Sequence, residues 1–436
     1  MILTLLATAC LGGSEGGGSA EGGGEGAPGS VTVLAAFVDD EEDRFVESLA
    51  AFEEESGVTV EYEGSPDFDT IITTRVQGNA APDIAIFPQP GLLLDVAETT
   101  DALPIGDYLD EAALEESLIP GFLDAARTDE GVFGMPMKMS IKSVLWYPVP
   151  EFEEAGYTIP ETEADLRALE EQIRSDGGTP WCLGMESADS TGWVGTDWVE
   201  EYMLRLHGPD VYDQWVNHEI PFNAPEVTAA WEKFGEIFQT EGNVVGGTQG
   251  VLSIPFGESP NAMFEKEPGC WLHRQANFIS GFFPDKVQED LDGNVGAAYF
   301  PSGVEGGFDG DPVLGAGDLA MMINDTEAAR QLMEFMGTAE FGGPWAEAGG
   351  YLSAHREFDA SLYPDELTRQ LFSIAQEADV LRFDGSDQMP GAVGTGSFWT
   401  GIVDWISGEA DLEQALTTIE EGWPASGEGG ESEATE

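Results

Sequence analysis

The stretch VTVLAAFVDDEEDRFVESLAAFEEESGVTVEYEGSPDFDTIITTRVQGNAAPDIAIF, residues 31–87, decides the fold. Its opening run, Val31 to Phe37, is apolar without a break, as a strand buried on both faces of a parallel sheet requires. Phe45, Leu49 and Phe52 then recur at helical steps among acids, and Gly57 stands where a helix ends in a left-handed residue. Val58, Val60 and Tyr62 alternate with polar residues as a second strand. Phe68, Ile72 and Val76 mark a second helix closed by Gly78, and Ile84 to Phe87 form a third short strand. This strand-helix alternation predicts an α/β protein with an open parallel sheet, whose ligands bind beyond the carboxyl ends of the strands. Asp39, Asp40 and the turn Phe87 to Pro90 occupy those ends.

Two later segments, Met135 to Tyr147 and Pro312 to Ile323, are apolar, lack helical spacing and read as extended crossovers between two halves of the molecule. The region between them is rich in aromatics, among them Trp181, Trp193, Trp198, Trp215, Trp231, Trp271, Phe282 and Phe283. Helical spacing returns between Thr326 and Met336 and again at Leu367, Leu371 and Ile374. No internal repeat is visible.

With 42% hydrophobic residues, 11 Trp and 24 Phe, the 436-residue chain has core material for more than one domain. Its 83 acids against 16 Lys and Arg give a formal charge of −67, which excludes nucleic acid as a partner. Only five of the cations are lysine. At molar salt the screening length falls to roughly 3 Å and such a surface stops repelling itself. A salt-loving source is therefore expected.

Residues 1–10 end in small residues before Cys10, the pattern of a lipoprotein signal peptide meeting its lipidated cysteine. Residues 11–30, rich in Gly, Ser and Glu, read as a flexible tether, and residues 426–436 as an acidic tail. No later segment reaches the roughly 18 uninterrupted apolar residues of a membrane helix. The remaining cysteines, Cys182 and Cys270, are either two buried thiols or a bridge contributing up to about 4–5 kcal/mol by loop entropy. His207, His218, His273 and His355 are too dispersed to suggest a metal site, and neither a metal nor a cofactor is expected. There is no GxSxG elbow, since the one match to that spacing, Gly12 to Gly16, falls in the Gly-rich stretch, and no HExxH or phosphate-loop motif.

The phrases APDIAIFPQPGLL, MPMKMSIKSVLWY, GGTPWCLGMES, TGWVGTDWVE, PGCWLHRQANFISGFFP, VLGAGDLA and RFDGSDQMPGAVGTGSFWTGIVDW, in this order, resemble family 1 of the extracellular solute-binding proteins, the maltose-binding type, in its alpha-glucoside-binding branch. The resemblance covers roughly residues 31–423. It implies a two-lobed, periplasmic-binding-protein-like fold of type II, each lobe a mainly parallel sheet flanked by helices, with the ligand in the cleft between them. The first lobe would hold residues 31–140 plus 317–352, and the second 141–316 plus 353–425. The implied role is that of a lipid-anchored, monomeric, extracellular binding protein that closes on a neutral sugar and hands it to the permease subunits of an ABC importer. A binding protein for a polyol or a glycerol phosphate is the alternative, and a secreted glycosidase a weaker one, because abundant acids make any carboxylate pair uninformative.

A sugar needs rings against its C–H faces and planar polar groups at its hydroxyl edge. By similarity, Trp399 is the leading stacking residue, with Trp193 and Trp271 in comparable phrases. Asp67, Gln89 and Asp318 would reach hydroxyls from the first lobe. Arg382, Asp384 and Asp387 form a polar cluster in RFDGSD, either offered to ligand or closed into an internal salt bridge. Lys138 and Lys142 fall in one crossover, and Lys138 would either donate to a hydroxyl or form a hinge ion pair. Gly315 and Gly317 would supply torsional freedom at the hinge.

Overall fold

The computed structural model describes residues 29–65 and 67–424. Cys10 with its signal peptide, nearly all of the tether 11–30 and the tail 426–436 lie outside the described residues. The strands are β1 (Ser30–Ala35), β2 (Thr59–Gly64), β3 (Ile84–Phe87), the small hairpin β4 (Arg127–Thr128) and β5 (Gly131–Val132), β6 (Met135–Ile141), β7 (Val144–Pro148), β8 (His273–Arg274), β9 (Val295–Tyr299), β10 (Pro312–Met322) and β11 (Val380–Phe383). The helices expected within residues 31–87 form as Asp39–Ser48, Ala50–Ser56 and Phe68–Gln77, and Gly57 caps the second of them at φ 70°.

One sheet runs β2–β1–β3–β10–β11, with β6 also paired to β10. The pairs β1/β2, β1/β3 and β10/β11 are parallel, whereas β10 is antiparallel to β3 and β6. The second sheet, β8–β7–β9, is antiparallel throughout, so parallel pairing does not dominate this half as expected. The cause is direction: β7 enters directly from β6 and runs outward, while β8 and β9 run inward. Isolated parallel bridges from Trp181 to Val244 and Leu272 extend this sheet. Two hydrophobic clusters follow this division only in part, since Trp146 of β7 and Ala297 of β9 join the cluster of the first sheet. One gathers Val33, Ile86, Leu93 and Met321, the other Trp198, Tyr202, Phe234 and Ile402.

Three strands pass between the halves at one place. Lys142 N donates to Leu314 O and Asp384 N to Gly315 O, both at 2.8 Å, and Gly315 pairs with Ile141 on one side and Phe383 on the other. The glycines here do not supply unusual torsions, since neither has positive φ. They permit close approach: a Cβ on Gly317 would lie 2.3 Å from Lys138 O and 2.8 Å from the Phe122 ring, and one on Gly315 3.0 Å from Leu381. The chain also stays with the first half longer than residue 352. Ile119 N donates to Ala354 O and Arg356 N to Ser117 O, so residues 353–356 pair with first-half backbone.

Cys182 and Cys270 are bridged, with Cα atoms 5.3 Å apart and a sequence separation of 88. The helix Trp193–Val216 carries a buried face of Asp197, Glu200, Glu201 and Arg205 and bends at Gly208–Pro209, where Gly208 takes φ 75° and ψ 179°. That bend turns the helix past Phe308, which a Cβ on Gly208 would strike at 2.5 Å.

Candidate ligand-binding cleft

Strand direction fixes where the cleft lies. β1, β2 and β3 end at Ala35, Gly64 and Phe87, and Leu319 pairs with Phe87, so Asp318 lies just beyond the carboxyl edge of the first sheet. It sits at a register shift in the β10/β6 ladder, a device that re-aims a side chain. Lys138 from β6 lies opposite it. Its Nζ is 3.6 Å from Asp318 and 2.5 Å from Glu41, and rests 5.2 Å from the ring centroids of both Phe37 and Trp345. Burial pushes the Asp318 carboxyl up to about 6, against the pull of Lys138. Burial alone would lower Lys138, but Asp318 and Glu41 hold its pKa above the ordinary lysine value. Gln89, at the head of the helix Pro90–Thr99, has a buried Oε1 without a partner among the described residues.

The second wall is aromatic. β7 leaves the hinge at Val144, so the inner ends of its antiparallel neighbours return there; Ile141 N accordingly meets Asn277 Oδ1 at 2.8 Å, just past β8. Phe278 and Phe282 follow in the 3-10 helix Asn277–Phe282, 38% and 49% exposed, with ring centroids 6.4 Å apart. Phe282 packs on Phe256 at 5.2 Å, Phe256 on Trp193 at 5.1 Å, and Trp193 lies 6.0 Å from Phe278. The four rings form a contiguous shelf of tilted and edge-on contacts. Trp193 Nε1 is spent on Ser187 Oγ at 3.0 Å, which fixes the indole. Trp399 is held against Gly192, where a Cβ would meet Trp399 Cβ at 2.6 Å, and its Nε1 is buried without a partner among the described residues. It directly follows a π-helical segment, Ala392–Phe398, a wide turn frequent at functional sites.

Between the walls lies a buried charge cluster. Lys142 Nζ bonds Asp197 at 2.9 Å and also Asp384, and stands 5.8 Å from the Trp193 ring. Arg274 and Arg205 each bond Glu201 at 2.5 Å, and Ser143 Oγ links Glu201 to Leu314 N. Arg205 also donates to the carbonyls of Phe300, Pro301 and Pro312. Burial works against ionisation of Asp384, yet Lys142 and the donors Ser386 Oγ and Asp387 N keep it down at about 2. Burial pushes Asp197 up to about 7 despite Lys142, and raises Glu200 and Asp387 well above the carboxylate range with the help of Asp384. Oxygens of Asp197, Glu200 and Asp384 lie within 4.8 Å of one another, and the cation the structure places among them is the Lys142 ammonium.

Of the sequence-derived candidates, Lys138 and Asp318 pair with each other, Gln89 stands at the head of Pro90–Thr99, Trp193 packs among Phe256 and Phe278, and Trp399 lies against Gly192. Asp384 is committed to Lys142 and Ser386, with Asp387 beside it. The Gly91 backbone approaches Asp387 O so closely that a Cβ would lie at 3.0 Å. Asp67 is exposed at the start of the helix Phe68–Gln77. Two candidates fall elsewhere. The Arg382 fork is closed on both oxygens of Asp213, at 2.6 and 2.8 Å, which is the internal salt bridge rather than a free donor. Trp271 precedes β8, two residues beyond the His273–Trp146 pair and so toward the outer end of β7, away from the hinge. It packs edge-on to Tyr157 at 4.9 Å. The sequence reading missed the shelf residues Phe278 and Phe282, whose four-residue spacing was the available signal.

Residues 39–342 match the family model of bacterial extracellular solute-binding proteins. The chain is 45% identical over 394 residues to the osmoprotective compounds-binding protein of Synechocystis sp., covering 90% of this chain and 92% of that one. It is 37% identical over 404 residues to the alpha-glucosides-binding periplasmic protein of Rhizobium meliloti, over 90% and 87% of the two chains. Among solved structures, a bacterial solute receptor described with an exclusive preference for b-D-galactopyranose superimposes with a TM-score of 0.74 at 17% identity, over 90% of this chain and 97% of that one. One from work on xylan utilization by Caldanaerobius polysaccharolyticus gives 0.73 at 18% identity, over 90% and 99%. At these identities the structural likeness establishes the fold.

Proposed function

Because this chain belongs to the bacterial extracellular solute-binding proteins, the substrate-binding components of ABC importers, we propose that its cleft closes on a neutral, hydroxyl-rich solute of the alpha-glucoside type. The observation that carries this reading is the pairing of unlike walls. An aromatic shelf of Trp193, Phe256, Phe278 and Phe282 suits the C–H face of a sugar ring, and the Lys138–Asp318–Glu41 rim suits its hydroxyl edge. The excess of carboxylates over lysines at the floor disfavours phosphorylated ligands, which require clustered Arg and Lys. The family consists of binding proteins, so the buried carboxylates are read as hinge bracing rather than as a general acid and nucleophile.

One relative is named for alpha-glucosides and the other for osmoprotective compounds, and both classes stay open for this cleft. Closure would bring together a first lobe of residues 31–140 and 317–356 and a second lobe made of the rest, with the three hinge strands as pivot. Contacts made only in the closed state would drive it.

The test is calorimetric titration in molar salt with maltose, trehalose, sucrose, a glycosylated glycerol and glycerol phosphates, repeated on Trp193→Ala. Binding of an uncharged glycoside, weakened at least tenfold in the variant, supports the proposal. Preference for a phosphorylated ligand, or affinity that ignores the substitution, refutes it.

A further inference from the structure

Trp271 was singled out in the sequence, yet the fold carries it to the outer end of the second lobe, where it lines an open groove of about 630 Å³. That is within the roughly 300–1,000 Å³ of small-molecule sites. Tyr157 and Trp271 stand at 76° with centroids 4.9 Å apart, so the groove has an aromatic corner rather than a flat apolar patch. Both rings are half-buried. Gly178 leaves the indole room to lie along the backbone, since a Cβ there would be 2.7 Å from Trp271 Nε1. The corner is rigid: Trp271 N donates to Pro180 O, and the preceding residue, Cys270, is tied to Cys182. Around it stand Asp176, which accepts from Tyr157 OH at 3.2 Å, and the carboxylates of Glu151, Glu154 and Glu267, with Lys266 the single cation of the rim.

We propose that this groove is a second carbohydrate site, separate from the transport cleft, which holds a segment of a neutral polysaccharide or oligosaccharide. A sugar ring stacks on the Trp271 face, its hydroxyls donate to the flanking carboxylates, and four acids against one lysine turn away anionic polymers. An open groove fits a chain that continues past the site on both sides, whereas the hinged cleft encloses its ligand.

The inference rests on the carbohydrate reading of the protein, and the test separates the two sites. Full-length protein in molar salt is co-sedimented with granular starch, insoluble xylan and cellulose, as wild type, Trp271→Ala, Tyr157→Ala and Trp193→Ala, with melting temperature recorded for each. The expected result is depletion of wild type and Trp193→Ala by at least one glycan, and at least tenfold weaker depletion of a natively melting Trp271→Ala or Tyr157→Ala. Cleft titration of Trp271→Ala should stay within twofold of wild type. Equal depletion of natively melting groove variants and wild type, or no depletion of wild type by any of the glycans, overturns the proposal, and neither outcome bears on ligand binding in the cleft.

Discussion

Lys142 shows what a single buried charge does here. Its ammonium is nearly inaccessible and is held by Asp197 and Asp384, so removing it leaves Asp384 without its cation and Asp197 with only Arg274 at 3.6 Å. Lys142→Met should cost about 3–5 kcal/mol, the usual penalty for breaking a buried ion pair from one side. Urea unfolding in molar salt measures this, and a loss below about 1 kcal/mol would sink the bracing role. Asp318 gives a pH signature. Its carboxyl titrates at about 6 in the fold and near about 3.9 unfolded, so between these values the native state keeps a proton that the unfolded chain has released. Its contribution to stability is therefore complete below about pH 4 and is lost as pH rises through about 6. Asp318→Asn should gain stability relative to wild type across that window, and parallel stability curves for the two proteins would contradict the assignment. Lys138 stood out in the sequence because lysine is scarce, and of its two readings the ion pair forms, with Asp318 and Glu41; of the two readings of Arg382 the internal salt bridge forms, with a partner, Asp213, that its distance along the chain hid.

At the scale of elements, the hinge is tight rather than loose. Gly317→Ala would push a methyl group into the Lys138 carbonyl and the Phe122 ring, separating β10 from β6. A cost of about 1–3 kcal/mol is expected, with faster amide exchange confined to those two strands. Exchange unchanged along β6 and β10 would mean the ladder absorbs the methyl. The Cys182–Cys270 bridge closes a long loop, and the paired Cys182→Ser, Cys270→Ser variant should lose up to about 4–5 kcal/mol, read from unfolding curves with and without reductant. The helices and strands of residues 31–87 could be read directly, because each carries its own period of apolar residues and glycines follow the helices that end at Ser56 and Gln77. The antiparallel second sheet could not, because pairing direction depends on where the chain enters the lobe.

For the whole molecule, the net charge of −67 sets the conditions under which everything else operates. Exposed carboxylates repel one another across roughly 30 Å at 0.01 M salt and across only about 3 Å at 1 M. Melting temperature should therefore climb steeply with potassium chloride, and a curve flat in salt would show that the acids are neutralised by other means. Closure is also a property of the whole. Small-angle scattering should show a smaller radius of gyration with a bound glycoside, because a hinge of three adjacent strands permits the two cores to approach without deforming either.

The sequence alone determined the α/β class, the order of the early elements, the two crossovers and the acidic surface, because each is written in local periodicity or in composition. The tertiary structure decided which aromatics lie near the hinge and which far from it. Trp271 and Phe278 sit seven residues apart at opposite ends of one inward-running segment, and only the direction of that segment relative to the hinge places Phe278 on the shelf and Trp271 at the far groove. A side chain's chemistry is local; the partner it meets depends on where the whole chain has returned in space.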